Sequence, residues 1–328
     1  MLLNYLLIVL TGFLTGSAFG FLLKRISLRK KVLMRSGIPL VGGISMWLGF
    51  LAACFSGFLL YGKLSPQITG ILISSLMMFV FGIIDDTYEL SIISKFLVQI
   101  LATGFLILFD IRTHIVYIPD VLNIIITFIW VLGITNAFNH LDVMDGIAGV
   151  AGMIVSLALF LISILNGDIK SAILSLALTG TVLSFLIYNL PPAKIYMGNS
   201  GSHFVGFVLA AIALVISYAS LERKVALFSP MLILGLPIFD TVFLILTRIG
   251  KKKLPFKKSN DHLALRFLAL GYSKKKALLF MSGLGFFFAL CGVIVSRVPN
   301  LWGIITIAFV VLASLALTKK MGKVAIDK

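Results

Sequence analysis

The sequence predicts an all-α polytopic membrane protein: one integral-membrane domain over residues 1–328 with about eleven transmembrane helices, N-terminus outside and C-terminus in the cytoplasm. Three observations lead there. Of the 328 residues, 60% are apolar and 12% are charged, where a soluble domain holds about 45–50% and about 25%. That excludes a soluble globular protein and a disordered chain. The apolar residues form long unbroken runs, whereas the strands of a membrane barrel alternate. Finally, the 28 Lys and Arg residues divide unequally between alternate connections, 22 on one side and 6 on the other. That asymmetry orients the chain by the positive-inside rule.

The elements follow in order. Residues 3–23 form the first run, and the first basic residue, Lys24, comes after it. A secretory signal has its positive charge ahead of the apolar run, so this one reads as a retained helix. Six basic residues between Lys24 and Arg35 hold its far end inside, and the run at 40–60 returns the chain outward. Runs at 68–84, 96–109, 120–138, 147–165 and 171–188 follow. Pro191 and Pro192 break the last of these, and the string from Gly198 to Ser202 opens the next, at 202–219. Runs at 228–247, 277–296 and 300–318 complete the set, with ten basic residues between Arg248 and Lys276 and four more in the tail 319–328. The loops are short and leave no room for a separate soluble domain. The net charge of +16 sits mostly in these inside segments, which points to anionic headgroups and anionic substrates rather than nucleic acid. Cys54 and Cys291 lie in apolar runs and build no disulfide framework.

The unusual polar residues all fall in the inside connections, and no comparable cluster occurs outside. Charges near membrane depth are costly and therefore mark function. Asp85 and Asp86 are adjacent carboxylates whose mutual repulsion a hard divalent cation would relieve. Asn136, Asn139, Asp142 and Asp145 are spaced by three, which on a helix makes one polar stripe, with Gly146 and Gly149 after it. GNSGS at 198–202 is a turn before a helix start, able to offer backbone N–H groups to phosphate. His203 reads as a packed interface histidine. His262 and Arg266 are four apart and would share a helical face, with Arg suited to bidentate phosphate contact. Helix ends from several spans would thus converge into one polar pocket.

In this order, the strings IPLVGG at 38–43, Asp85-Asp86, Asn136 to Gly146, GNSGS, Pro237 to Asp240 and DHLALR at 261–266 resemble glycosyltransferase family 4. These are the polyprenyl-phosphate N-acetylhexosamine-1-phosphate transferases that start enterobacterial common antigen, O-antigen and wall teichoic acid, and they are related to phospho-N-acetylmuramoyl-pentapeptide transferase. The resemblance covers roughly residues 35–276. It implies transfer of a sugar 1-phosphate, GlcNAc-1-phosphate first among them, from a UDP-N-acetylhexosamine to undecaprenyl or another polyprenyl phosphate, releasing UMP. It also implies a multi-pass protein of the inner (plasma) membrane with a cytoplasmic active site, in contact with membrane lipids, and it leaves room for a homodimer. Mg²⁺, or Mn²⁺ in its place, would bind Asn139 and Asn199. Asp85 or Asp86 would take or orient the proton of the lipid phosphate, and Asp142 and Asp145 would hold the nucleotide or its metal environment. His262 and Arg266 would contact the diphosphate, Asn189 and Tyr196 would flank the uridine, and Asn136 would serve substrate binding. The lipid tail would lie in a groove between spans.

Two departures stand out. Asn199 occupies the place of the family's aspartate, and the histidine string keeps only His262, with Ala264 and Leu265 following. Val143 also replaces a usual glycine. The rival readings are the muramoyl-pentapeptide branch, a degenerate non-catalytic member, and a secondary transporter. A transporter needs polar residues on broken helices at mid-membrane depth, whereas here they cluster at helix ends on one side.

Overall fold

In a computed structural model that describes residues 1–62, 65–218, 222–252 and 261–324, each predicted run holds helix, and residue 219 of the run at 202–219 lies outside the described residues. Lys63, Lys253, Lys257, Lys258 and Lys328 of the charge count lie outside the described residues. The helices are α1 (Leu2–Lys30), α2 (Gly42–Tyr61), α3 (Pro66–Tyr88), α4 (Ile92–Leu108), α5 (Asp120–Leu141), α6 (Ile147–Leu165) and α7 (Ile169–Asn189). They continue with α8 (Gly198–Val215), α9 (Ser229–Ile233), α10 (Gly235–Gly250), α11 (Leu263–Ala269), α12 (Lys274–Val295) and α13 (Asn300–Gly322). Among the described residues, nine helices are long and apolar enough to cross a membrane.

Two of the eleven predicted spans differ from that nine. The run at 96–109 becomes α4, whose 17 residues rise about 26 Å, short of the roughly 30 Å hydrocarbon core. The run at 228–247 is broken: α10 leaves the preceding helical segment at 75°. Pro237 supplies the reason, since it has no N–H to offer the carbonyl of Ile233. One element was not expected, a hairpin of β1 (Met34–Arg35) against β2 (Ile38–Pro39). Ser36 and Gly37 turn it, both at positive φ, as tight hairpins require. The helix implied by the His262–Arg266 spacing is the short α11, which starts after His262.

The core is built on α7 and α8, each with 83% of its span window buried, while α13 has 11%. α8 packs against α2, α3, α5, α6 and α7. Small residues at its start permit this. A Cβ on Gly82 of α3 would lie 2.3 Å from Ser200 Cα, and one on Gly43 of α2 would lie 2.4 Å from the Gly201 nitrogen. Backbones therefore meet directly around the first turn of α8, as small-residue interfaces allow in lipid. The outer surfaces of α1, α4, α5, α12 and α13 expose Leu, Ile and Phe side chains, as lipid-facing helices do. At the opposite end of the bundle a small charged group does occur: Arg112 pairs with Asp110 and Asp120, exposed to solvent and adding little to stability.

Candidate active site

Asp85 and Asp86 lie in the last turns of α3 and point to different neighbours. Asp85 is buried; its Oδ2 meets Lys95 Nζ at 2.6 Å and its Oδ1 accepts from the Leu90 N–H at 2.8 Å. Asp86 reaches α8, where its carboxylate accepts from the Asn199 N–H at 2.7 Å, the Ser200 N–H at 3.0 Å and the Ser200 hydroxyl at 2.8 Å. A carboxylate at a helix N-terminus satisfies orphan N–H groups and meets the positive end of the dipole. These contacts show what each carboxylate meets within the protein. Lys95 and the Leu90 N–H balance Asp85, and three donors at the start of α8 balance Asp86. The first amides of the GNSGS turn are taken by Asp86 rather than left open to phosphate.

The polar stripe of α5 is shorter than its spacing implied, because the helix ends at Leu141 and Asp142 is already non-helical. Gly146, at φ +84°, then starts α6 in a conformation that side-chain-bearing residues disfavour. Asn136 exchanges hydrogen bonds with Gln99, at 2.7 and 3.2 Å. Asn139 Nδ2 donates to Asn199 Oδ1 at 3.0 Å and to Ser202 Oγ at 2.9 Å. The two amides expected to share a ligand thus touch each other. Asp142 follows on the adjoining turn. Its carboxyl pKa is pushed up to about 7, first by desolvation and then by Asp86 and Asp145, with Arg35 of the hairpin opposing.

Asp145, Asn189 and Tyr196 build the wall beside this turn. Asp145 Oδ2 accepts from the Ala193 N–H and from Lys274 Nζ at the start of α12. The Asn189 amide is buried, its oxygen accepting from the Gly146 N–H and its nitrogen donating to the Ile195 carbonyl, both at 2.8 Å. Tyr196 binds through its backbone: its N–H donates to Pro39 and its carbonyl accepts from Gly42. The Gly-Gly segment is thereby pinned against the 190–197 loop.

His262 and Arg266 separate. His262 caps α11, with Nδ1 2.8 Å from Asp240 Oδ2. Asp240 Oδ1 also accepts from the Leu263 N–H at 2.9 Å. Arg266 points the other way and is fully buried. Its guanidinium donates to the carbonyls of Met321, Gly322 and Val324 at the end of α13, pairs with Asp261, and lies over the Phe243 ring. It clamps the C-terminal helix and offers no donor to the pocket that holds His262.

Several participants carried no pattern that sequence reading could use. Gln99 and Lys95 sit alone on an apolar helix, and Arg35 looks like one more loop cation. Among the described residues, no three His, Cys, Asp or Glu side chains gather closely enough to hold a metal between them. The chemistry of the donors nevertheless suits a hard divalent cation. Asp86 and Asp145 raise the Asp142 carboxyl by their charge, so the turn carries surplus negative charge. Beside it, Asn139 directs both of its side-chain hydrogen bonds through its nitrogen, leaving its oxygen as a donor to metal.

The family model for glycosyl transferase family 4 matches residues 68–217, which span α3 to α8. The chain is 29% identical to a Bacillus subtilis protein named as a probable undecaprenyl-phosphate N-acetylglucosaminyl 1-phosphate transferase, over 84% of this chain and 78% of the relative. It is 30% identical to the decaprenyl-phosphate N-acetylglucosaminephosphotransferase of Mycobacterium leprae, over 83% and 77%. A third relative, the undecaprenyl-phosphate α-N-acetylglucosaminyl 1-phosphate transferase of Thermotoga maritima, is 29% identical over 69% and 66%.

Proposed function

The chain belongs to glycosyl transferase family 4, and from that premise we infer that it transfers GlcNAc-1-phosphate from UDP-GlcNAc to a polyprenyl phosphate, releasing UMP. The observation that supports this most is the convergence of Asp86, Asn139, Asp142, Asn199 and the Asp240–His262 pair at one end of the bundle, within and beside the family-matched region. In this reaction a phosphate oxygen of the lipid attacks the sugar-bearing phosphorus, and the bond from that phosphorus to the UMP oxygen breaks. Asp142, with a carboxyl pKa near neutrality, is placed to take the proton of the attacking phosphate. Asp86 holds the start of α8, and so Asn199, in register with Asn139. His262, oriented by Asp240, contacts the diphosphate. Asp85, Asp145, Asn136, Asn189 and Arg266 hold the elements around them through the contacts described above. The isoprenoid tail lies along the apolar groove of Ile100, Phe128, Ile129 and Leu132, next to the Gln99–Asn136 pair. Purified protein given UDP-GlcNAc and undecaprenyl phosphate should release UMP, and a protein that leaves both substrates intact overturns the reading.

Mg²⁺ would be held by the oxygens of Asn139 and Asn199 beside Asp142. Bound there, it would neutralise charge developing on the diphosphate. Asn199→Asp adds a negative charge while keeping the acceptor for Asn139. It should lower the Mg²⁺ concentration for half-maximal turnover by about tenfold, since a charge a few ångströms from a divalent ion counts strongly even at an intermediate dielectric. Unchanged Mg²⁺ dependence in both Asn199→Asp and Asn199→Ala would place the cation elsewhere.

The site faces the cytoplasm in this reading, with eleven crossings that count α4 and the bent α9–α10 pair, in the plasma membrane at the start of an envelope polysaccharide. The 22 to 6 division of basic residues supports that orientation. Cys54 and Cys291 are buried, so single cysteines at exposed positions report cleanly. Val116→Cys should react with an impermeant maleimide in intact cells, and Tyr88→Cys and Lys194→Cys only after the membrane is opened. The reverse pattern refutes the orientation.

A further inference from the structure

His140, the penultimate residue of α5, has no part in the assignment above. It is exposed at the site, and among the described residues its ring nitrogens make no hydrogen bond. Its ring lies against that of His262, with centroids 6.4 Å apart and planes inclined by 33°. His262 is not free to turn. Asp240 holds its Nδ1 at 2.8 Å and is itself held by the Leu263 N–H, so Nε2 is the nitrogen left for a ligand. His140 is close enough to His262 and Asp240 to feel the charge of both.

The separation decides what the two rings can share. A zinc-like ion binds imidazole nitrogen at about 2.0–2.1 Å, and with about 1.2 Å from nitrogen to ring centre, tetrahedral coordination holds the centres roughly 5 Å apart. The observed 6.4 Å would force a nearly straight nitrogen–metal–nitrogen line. An oxygen accepting from both rings at about 2.8 Å gives the same separation at an angle of about 108°, which suits the lone pairs of a phosphate oxygen. With Asp240 accepting at Nδ1, Nε2 donates when His262 is an imidazolium, and His140 donates through either tautomer.

We propose that His140 and His262 form a two-imidazole clamp on a single phosphate oxygen, making His140 a further substrate-binding residue. The proposal rests on the transfer reading for its ligand class, which the UDP-sugar diphosphate and the lipid phosphate share. Equilibrium binding of UDP and of undecaprenyl phosphate to wild type, His140→Leu, His140→Gln, His262→Leu and the His140→Leu/His262→Leu double variant tests it. His140→Leu should weaken one ligand by about ten- to a hundredfold, the worth of a hydrogen bond to a charged group. His140→Gln, which keeps a donor, should recover most of that. The double variant should lose less than the product of the two single losses. A loss confined to UDP places the clamp on the donor, and one confined to the lipid places it on the acceptor. Because His140 is exposed, unchanged melting temperatures are expected and will separate binding from folding. Equal binding of both ligands to wild type and His140→Leu overturns the clamp, as does absence of binding to wild type. UMP release by wild type judges the transfer reading separately, since the binding result stands with or without turnover.

Discussion

Asp86→Asn is expected to lower UMP release by about a hundredfold while the protein still inserts and folds. The carboxylate accepts from two backbone amides and one hydroxyl at the start of α8. The substitution removes the charge that faces the helix dipole and turns an NH₂ group toward donors it cannot satisfy. Loss of such a cap costs about 1–2 kcal/mol of stability. The larger consequence is positional: Asn199 hangs from that first turn, and an ångström of displacement at a reacting centre can cost about a hundredfold in rate. Asp168→Asn is the matched control. Asp168 caps α7 through the Ser171 N–H at the opposite end of the bundle. Asn caps a helix about as well as Asp, so this variant should change neither turnover nor, by more than a little, the melting temperature. Equal turnover in Asp86→Asn and wild type would reduce the contact to a helix cap.

Asp142→Asn should abolish most turnover and yet stabilise the protein above neutral pH. Its folded-state pKa of about 7 stands above the ordinary 3.8 because the carboxylate is desolvated and faces Asp86 and Asp145. The sign follows from linkage. Folding disfavours ionised Asp142, so its cost is absent below the unfolded pKa, grows as pH rises, and is complete above about 7. An amide at this position escapes the cost, so the melting temperature of the variant should exceed that of wild type at pH 8 and converge with it near pH 4. For activity the sign is opposite. If the ionised carboxylate takes the proton, wild-type kcat/KM falls about tenfold per unit below pH 7, and this acid limb disappears in the residual activity of the variant. A wild-type profile flat from pH 5.5 to 8 would remove Asp142 from proton transfer.

Single residues show how far the sequence reached. It placed Asp86, Asn139, Asp142, Asn199 and His262 at helix ends on one side, because charge asymmetry and span count together assign each connection to a side. The Gly-Gly segment was legible as a motif, but its purpose was not. Only the packed structure shows Gly43 against Gly201 and Gly42 bound to Tyr196, contacts that join residues more than 150 positions apart. Arg266 is the clearest reversal. Its spacing from His262 suggested a shared helical face, but the helix is short, His262 caps it, and the α13 carbonyls supply a better-matched set of acceptors.

By itself, then, the sequence determined the solvent in which this chain folds, the order of its helices and the family to which it belongs. Those properties are written in local composition and in spacings of a few residues. The tertiary structure alone decided which neighbour each polar group obtains. In a bundle with little water every donor and acceptor must find a protein partner. Asp85 took Lys95, Asp86 took the start of α8, Asn136 took Gln99, and His262 took Asp240. Which pairings close depends on how small residues let the helices approach, and that distance is a property of the assembled bundle rather than of any one segment.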